Sequence, residues 1–239
     1  MGEWWREFAG LVLPVSCGGC GRPRTELCPE CGAALRDRPP CRVRPSPEPP
    51  GLPVVHAAAP YENAVRALLL AHKERGALTL ARPLGGALAA AVRAGAGDSA
   101  RRGTLLLVPV PSSSRATAAR GHDPGRRIAL AAAAGLRRSG TSARVFPVLR
   151  QRRAVADQAG LRAVQRRANL AGALEVVPGA ERLLAEGPVV LVDDLLTTGS
   201  TLAEAARAVA AVLPRTALPV SPRAAVVAAS PSAFEINRN

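Results

Sequence analysis

The hydrophobic pattern alternates between unbroken apolar runs and stripes at helical spacing, and the alternation outlines strands followed by helices. The clearest run is Val189, Val190, Leu191 and Val192. It has no polar face, which predicts a strand buried on both sides in a parallel sheet. Within residues 201–213, Leu202, Ala205, Val209 and Val212 then share one stripe at helical spacing. A second unbroken run, residues 105–108, stops at Pro109-Val110-Pro111, with helical patterns over residues 79–94 and 126–136 around it. Residues 54–60 and 144–149 predict further strands, residues 62–70 a helix, and residues 95–103 an irregular segment. Strands alternating with helices in this way predict an α/β fold, a doubly wound parallel sheet.

Before that pattern begins, residues 37–53 are too proline-rich for a helix or a central strand and read as a semi-rigid connector. The chain therefore divides into an N-terminal helix and zinc-binding module (1–45), a Pro-rich linker (46–53) and the α/β domain (54–239). Trp4, Trp5, Phe8, Leu11 and Val12 would lie largely on one side of a short first helix. Cys17, Cys20, Cys28 and Cys31 follow as two C-x-x-C pairs, CGGC and CPEC. Each pair chelates from one tight turn, and four thiolates close a tetrahedral site, so the spacing predicts one structural Zn²⁺. Two disulfides are the alternative. The first residues lack the form of a signal peptide, so a reducing cytoplasm is expected, and that favours zinc. Cys41 stands alone and reads as an idle thiol.

Composition changes this picture little. The 239 residues suffice for one α/β domain plus a small appendage, and 48% hydrophobic content is that of a globular chain. No run is long enough to span a membrane. The net charge of +14 attracts polyanions, but it is nearly all arginine spread along the chain. Aromatic platforms for single-stranded nucleic acid are almost absent, the α/β domain having only Tyr61, Phe146 and Phe234.

The candidate chemistry gathers where the apolar run at 189–192 meets Asp193 and Asp194. These acids fall at the carboxyl end of a parallel strand, the edge at which open α/β sheets bind ligands. Thr197, Thr198, Gly199, Ser200 and Thr201 then lead into a helix, whose free N–H groups and neighbouring hydroxyls suit a phosphate monoester. Two carboxylates beside a phosphate need a neutral partner on the same ligand. Vicinal sugar hydroxyls fit that need, so the ligand suggested is a ribose 5-phosphate. Lys73 is the only lysine of the chain, which hints at a compact ammonium set against a pyrophosphate; a solvated helix end explains it almost as well. The loop after residue 111, with Ser112 and Arg115, offers donors for a diphosphate at the same edge. Arg150 opens a long polar segment through Gln158, Arg166, Arg167 and Asn169, which reads as a lid over a polyanion or as a solvated surface helix. Neither a G-x-x-x-x-G-K-[ST] loop nor a G-x-G-x-x-G turn follows any predicted strand, which weighs against an NTPase or a dinucleotide enzyme.

The stretch VVLVDDLLTTGST resembles the signature of type I phosphoribosyltransferases, which implies that Asp193 and Asp194 hold the ribose hydroxyls of phosphoribosyl pyrophosphate (PRPP) while the following turn holds its 5-phosphate. Across nearly its whole length the chain also resembles the ComF (competence protein F, GntX-like) family. The matching features are the CGGC and CPEC knuckle, the segment from Tyr61 to the K-x-R-G ending at Gly76, the VPVP strand end with Arg120-Gly121, and the R…Q…L…RR-x-N hood from Arg150 to Asn169. The chain departs from that family at His122, Asp123 and Pro124, where an aromatic residue, Asn and Gln are usual, and at Ala154, Val155 and Ala156, which lack the usual Thr before Gln158. The resemblance implies Mg²⁺-dependent phosphoribosyl transfer from PRPP to an acceptor the sequence does not identify. Asp193 and Asp194 would be catalytic, and Lys73, Ser112, Arg115, Arg150 and Arg166 would face the pyrophosphate. It equally implies a DNA-uptake component that binds single-stranded DNA or a helicase partner. A PRPP sensor without turnover is a third reading, and a homo-oligomer is left open.

Overall fold

A strand that is apolar on both faces needs cover on both sides, and the chain supplies it from two sets of elements. The computed structural model describes residues 15–101, 103–112, 117–118, 120–153, 170–213 and 222–238. The expected first helix, with Arg115, Arg166 and most of the polar lid, lies outside the described residues. The strands are β1 (Cys41–Val43), β2 (Val55–Pro60), β3 (Leu105–Pro109), β4 (Ala143–Val145), β5 (Leu149–Gln151), β6 (Leu174–Val176), β7 (Val189–Leu196) and β8 (Arg223–Ala229). The α-helices are α1 (Pro29–Ala34), α2 (Asn63–Glu74), α3 (Ala81–Ala96), α4 (Pro124–Arg138), α5 (Glu181–Leu184) and α6 (Ser200–Ala210).

Six strands form one sheet in the order β1-β2-β8-β7-β3-β4, parallel throughout except at β1. Side chains alternate between its faces. Leu105, Leu107, Val190, Val192, Ala225 and Val227 point to one core with Leu68, Leu84, Leu88, Ile128 and Leu136 of α2, α3 and α4. Leu106, Val108, Val189, Leu191, Ala224 and Val226 point to the other, where α6 contributes Leu202, Ala205 and Val209. The fold is thus mixed α/β with a mostly parallel sheet. Leu107 and Leu191 are fully enclosed, so cutting either to Ala would cost about 2–5 kcal/mol. Among the described residues, no helix is long and apolar enough to cross a membrane.

Three expectations need correction. Residues 95–101 are not irregular: α3 runs to Ala96 and a 3₁₀ helix, Gly97–Arg101, follows. The apolar stretch at 144–149 is not one strand, because it breaks around Pro147 into β4 on the main sheet and β5 on a separate two-stranded sheet with β6. The strand at 189–192 does not stop at its acids. It continues to Leu196, because β8 keeps pairing with it as far as Ala229.

Candidate functional site

β7 has different neighbours on its two sides, and this difference makes the site. Toward β3, pairing ends at Pro109 and Val192, with a last bond from Val110 N–H to Val192 O at 2.9 Å. Toward β8, pairing passes Asp193 and reaches Leu196. Asp193 and Asp194 therefore sit on a strand held from one side only. Asp193 Oδ1 accepts a bond from the Asp194 backbone N–H at 2.8 Å, which fixes the first carboxylate against the main chain. Asp194 is buried, and its Oδ2 lies 2.9 Å from Lys73 Nζ.

Lys73 reaches the acids from the last turn of α2. Burial works against its ammonium, but the Asp194 carboxylate and then Asp193 outweigh that, and its pKa lies above the usual lysine value. Asp193 moves the other way. Burial, then the neighbouring Asp194 charge, hold its carboxyl well above the usual carboxylate range, with Lys73 only partly offsetting them. Charge on Asp193 is therefore disfavoured where it stands, and a cation or hydroxyl donors beside it would favour the ionised form.

The turn after β7 leads into α6 through Gly199, at φ 75° and ψ −2°. A side chain there would be strained twice over, since a Cβ would also lie 3.0 Å from Leu52 Cδ1 and 3.3 Å from Pro49 Cγ. The linker thereby packs on the turn. No side chain caps the start of α6; the hydroxyls of Thr198 and Ser200 bond each other at 3.1 Å instead. The first helical N–H groups are left to another acceptor. Thr197 is exposed, Thr198 and Thr201 are half-buried and Ser200 is buried.

The described residues between β3 and α4 contact the end of α2. Ser112 stands just past β3, half-buried. Arg120 Nη1 bonds both oxygens of Glu74, at 3.2 and 3.3 Å, so the end of α2 ties to this loop as well as to β7. His122 Nδ1 lies 2.9 Å from Arg120 O. A carbonyl only accepts, so Nδ1 donates this bond, while Nε2 is buried with no hydrogen-bond partner among the described residues. The departure at Asp123-Pro124 has a local cause. Asp123 Oδ1 accepts from Arg126 N–H at 3.0 Å as the cap of α4, and Pro124 takes the first helical position.

Arg150 projects from β5, where its Nε bonds Glu175 Oε1 of β6 at 2.8 Å. This small sheet is docked on α6 by buried Glu204, which accepts from Leu174 N–H at 3.1 Å and pairs with Arg207 at 2.8 Å. Burial opposes ionisation of Glu204, but the Arg207 and Leu174 donors hold its carboxyl below the usual range. Sequence reasoning missed this glutamate, although its i, i+3 spacing to Arg207 was a visible sign.

The four cysteines converge. The Sγ atoms of Cys17, Cys20, Cys28 and Cys31 all lie within 4.8 Å of one another, so the cluster could hold a structural metal such as zinc. Two matching turns build it, with Gly21 N–H on Cys17 O and Gly32 N–H on Cys28 O, each at 2.9 Å. Burial opposes the Cys17 thiolate, but backbone donors from Cys20, Cys28 and Gly19 bring its pKa down to about 6. Gly19 has no room for a side chain, since a Cβ would meet Cys31 Sγ at 2.6 Å.

No protein-family model and no curated protein matches the chain. Beside the Thr197-Thr198 turn opens a cavity of about 500 Å³ lined by Tyr61, Arg66, Thr197, Thr198, Ser230 and Pro231. Arg66 and Ser230 were not among the expected site residues, because nothing in the sequence links them to residue 197.

Proposed function

We propose that the carboxyl edge of β7 binds PRPP, and that the chain is a type I phosphoribosyltransferase-like protein of ComF type. The observation that supports this most is the pair Asp193 and Asp194, answered by Lys73 and followed at once by a glycine turn whose helix start lacks a side-chain cap. Ribose hydroxyls donate to the two carboxylates, and the 5-phosphate takes the free N–H groups and hydroxyls of residues 197–201. Leaving pyrophosphate would fall toward the loop after β3, with Ser112 and Lys73. Mg²⁺ bound to the pyrophosphate would supply charge neutralisation there. The chain's own part is to orient the ribose, and to stabilise positive charge as it develops at C1 while the acceptor attacks. Zn²⁺ in the cysteine cluster serves the fold.

The test is calorimetric titration of PRPP·Mg into the protein and into Asp193→Asn/Asp194→Asn. Charge-assisted hydrogen bonds are worth about 1.5–3 kcal/mol each, so the double variant should bind at least ~10-fold more weakly. No binding by the unaltered protein, or equal affinity in the variant, defeats the reading. Single-stranded DNA in a parallel titration checks the nucleic-acid alternative.

A further inference from the structure

The cavity beside the turn draws on four parts of the chain. Tyr61 follows β2, Arg66 lies in the second half-turn of α2, Thr197 and Thr198 follow β7, and Ser230 and Pro231 follow β8. Because β2, β8 and β7 are adjacent and parallel, all of these reach the same carboxyl edge, on the β8 side of β7. Hydroxyls and one guanidinium line the cavity, and no carboxylate does. Arg66 forms no ion pair among the described residues.

Charge gives this arrangement a purpose. A phosphate monoester carries between one and two negative charges near neutral pH, while the turn itself offers only neutral donors. The ammonium near the acids does not line this cavity, and Lys73 Nζ lies instead 2.9 Å from Asp194 Oδ2. We propose that Arg66 is the counter-charge for the phosphate monoester seated at residues 197–201, and that this cavity is where the phosphate sits. The proposal deepens the PRPP reading and rests on its placement of the phosphate. A guanidinium presents paired N–H groups that match two phosphate oxygens, which an ammonium does not, so Arg is the fitting residue for this position. The site then selects for phosphorylated sugars. An unphosphorylated ribose would keep its bonds to the acids and gain nothing from Arg66.

Ribose 5-phosphate, inorganic phosphate and PRPP·Mg would be titrated into the protein, Arg66→Gln and Arg66→Lys, with melting curves on all three. Arg66 is exposed, so the variants should melt like the parent. Arg66→Gln should weaken ribose 5-phosphate by roughly tenfold and flatten the salt dependence, with Arg66→Lys between the two. If Arg66→Gln binds ribose 5-phosphate as the parent does, the proposal is overturned, while the PRPP reading survives provided PRPP·Mg still depends on Asp193 and Asp194. If the parent binds inorganic phosphate through Arg66 but ignores PRPP·Mg, the anion seat stands and the PRPP reading falls. If it binds none of the three, both fall.

Discussion

Four thiols at residues 17–31 and two carboxylates at 193–194 each crowd together groups that repel once ionised, and the chain answers the two cases differently. The carboxylates have an internal cation, with Lys73 at 2.9 Å from Asp194. Among the described residues the thiols have none. Arg22, whose charge reaches Cys28 and Cys20, is bound to Glu30 through Nη1 at 2.9 and 3.0 Å. Cys17 is drawn toward thiolate while burial pushes the Cys31 thiol up, so a cation shared by the four sulfurs would relieve the cluster. The carboxylate pair is finished without a ligand but remains strained, as the raised Asp193 shows. The comparison teaches that the first cluster gains stability from a metal, whereas the second has its own cation and keeps an unfavourable carboxyl.

The largest expected effect tests the cysteine half. Purified protein should hold one Zn²⁺ per chain, and Cys28→Ser or a strong chelator should lower stability by more than ~3 kcal/mol, since metal binding is coupled to folding. Metal analysis with melting curves reads both; a metal-free protein that melts unchanged ends the comparison. Next in size is Lys73→Met, which strands two carboxylates. A fully buried pair broken this way costs about 3–5 kcal/mol, but the Lys73 side chain is 37% exposed, so about 1–2 kcal/mol is expected. Asp194→Asn added to Lys73→Met should recover most of that loss in a double-mutant cycle; no recovery would mean that the contact is not the cause. The smallest effect has the opposite sign. A raised carboxyl contributes fully below its unfolded pKa, about 4, and that contribution is lost as pH rises through the folded value. Asp193→Asn removes the loss, so it should stabilise the protein by on the order of 1 kcal/mol at neutral pH, or about 2–4 °C, and by nothing below pH ~4. Equal gains at both pH values would show that charge is not responsible.

The residues that could be read in advance are those whose partners lie close by in the chain. The cysteine knuckle is closed by its own turns, and the run at 189–192 dictates its burial by itself. The Lys73 contact bridges 121 residues, and only the rarity of lysine in this chain hinted at it. The continuation of β7 past its acids was hidden because it depends on β8, which keeps pairing where β3 has ended. Residues 95–103 misled for another reason. Gly95 marks a close approach, where a Cβ would lie 2.9 Å from His56 Nδ1, and not a flexible break.

Both rims of the main sheet end in strands of three residues, β1 on one side and β4 on the other. Such short borders leave few free N–H and C=O groups to recruit a strand from a second molecule. β1 does this for β2 from the far side of the linker, pairing Cys41 with Ala57 and Val43 with Val55. A chain shortened to begin at residue 54 would uncover the six-residue β2 and take Leu52 away from Gly199 at the same time. Self-association and a loosened turn after β7 should then appear together, so residues 41–52 guard both the sheet and its turn.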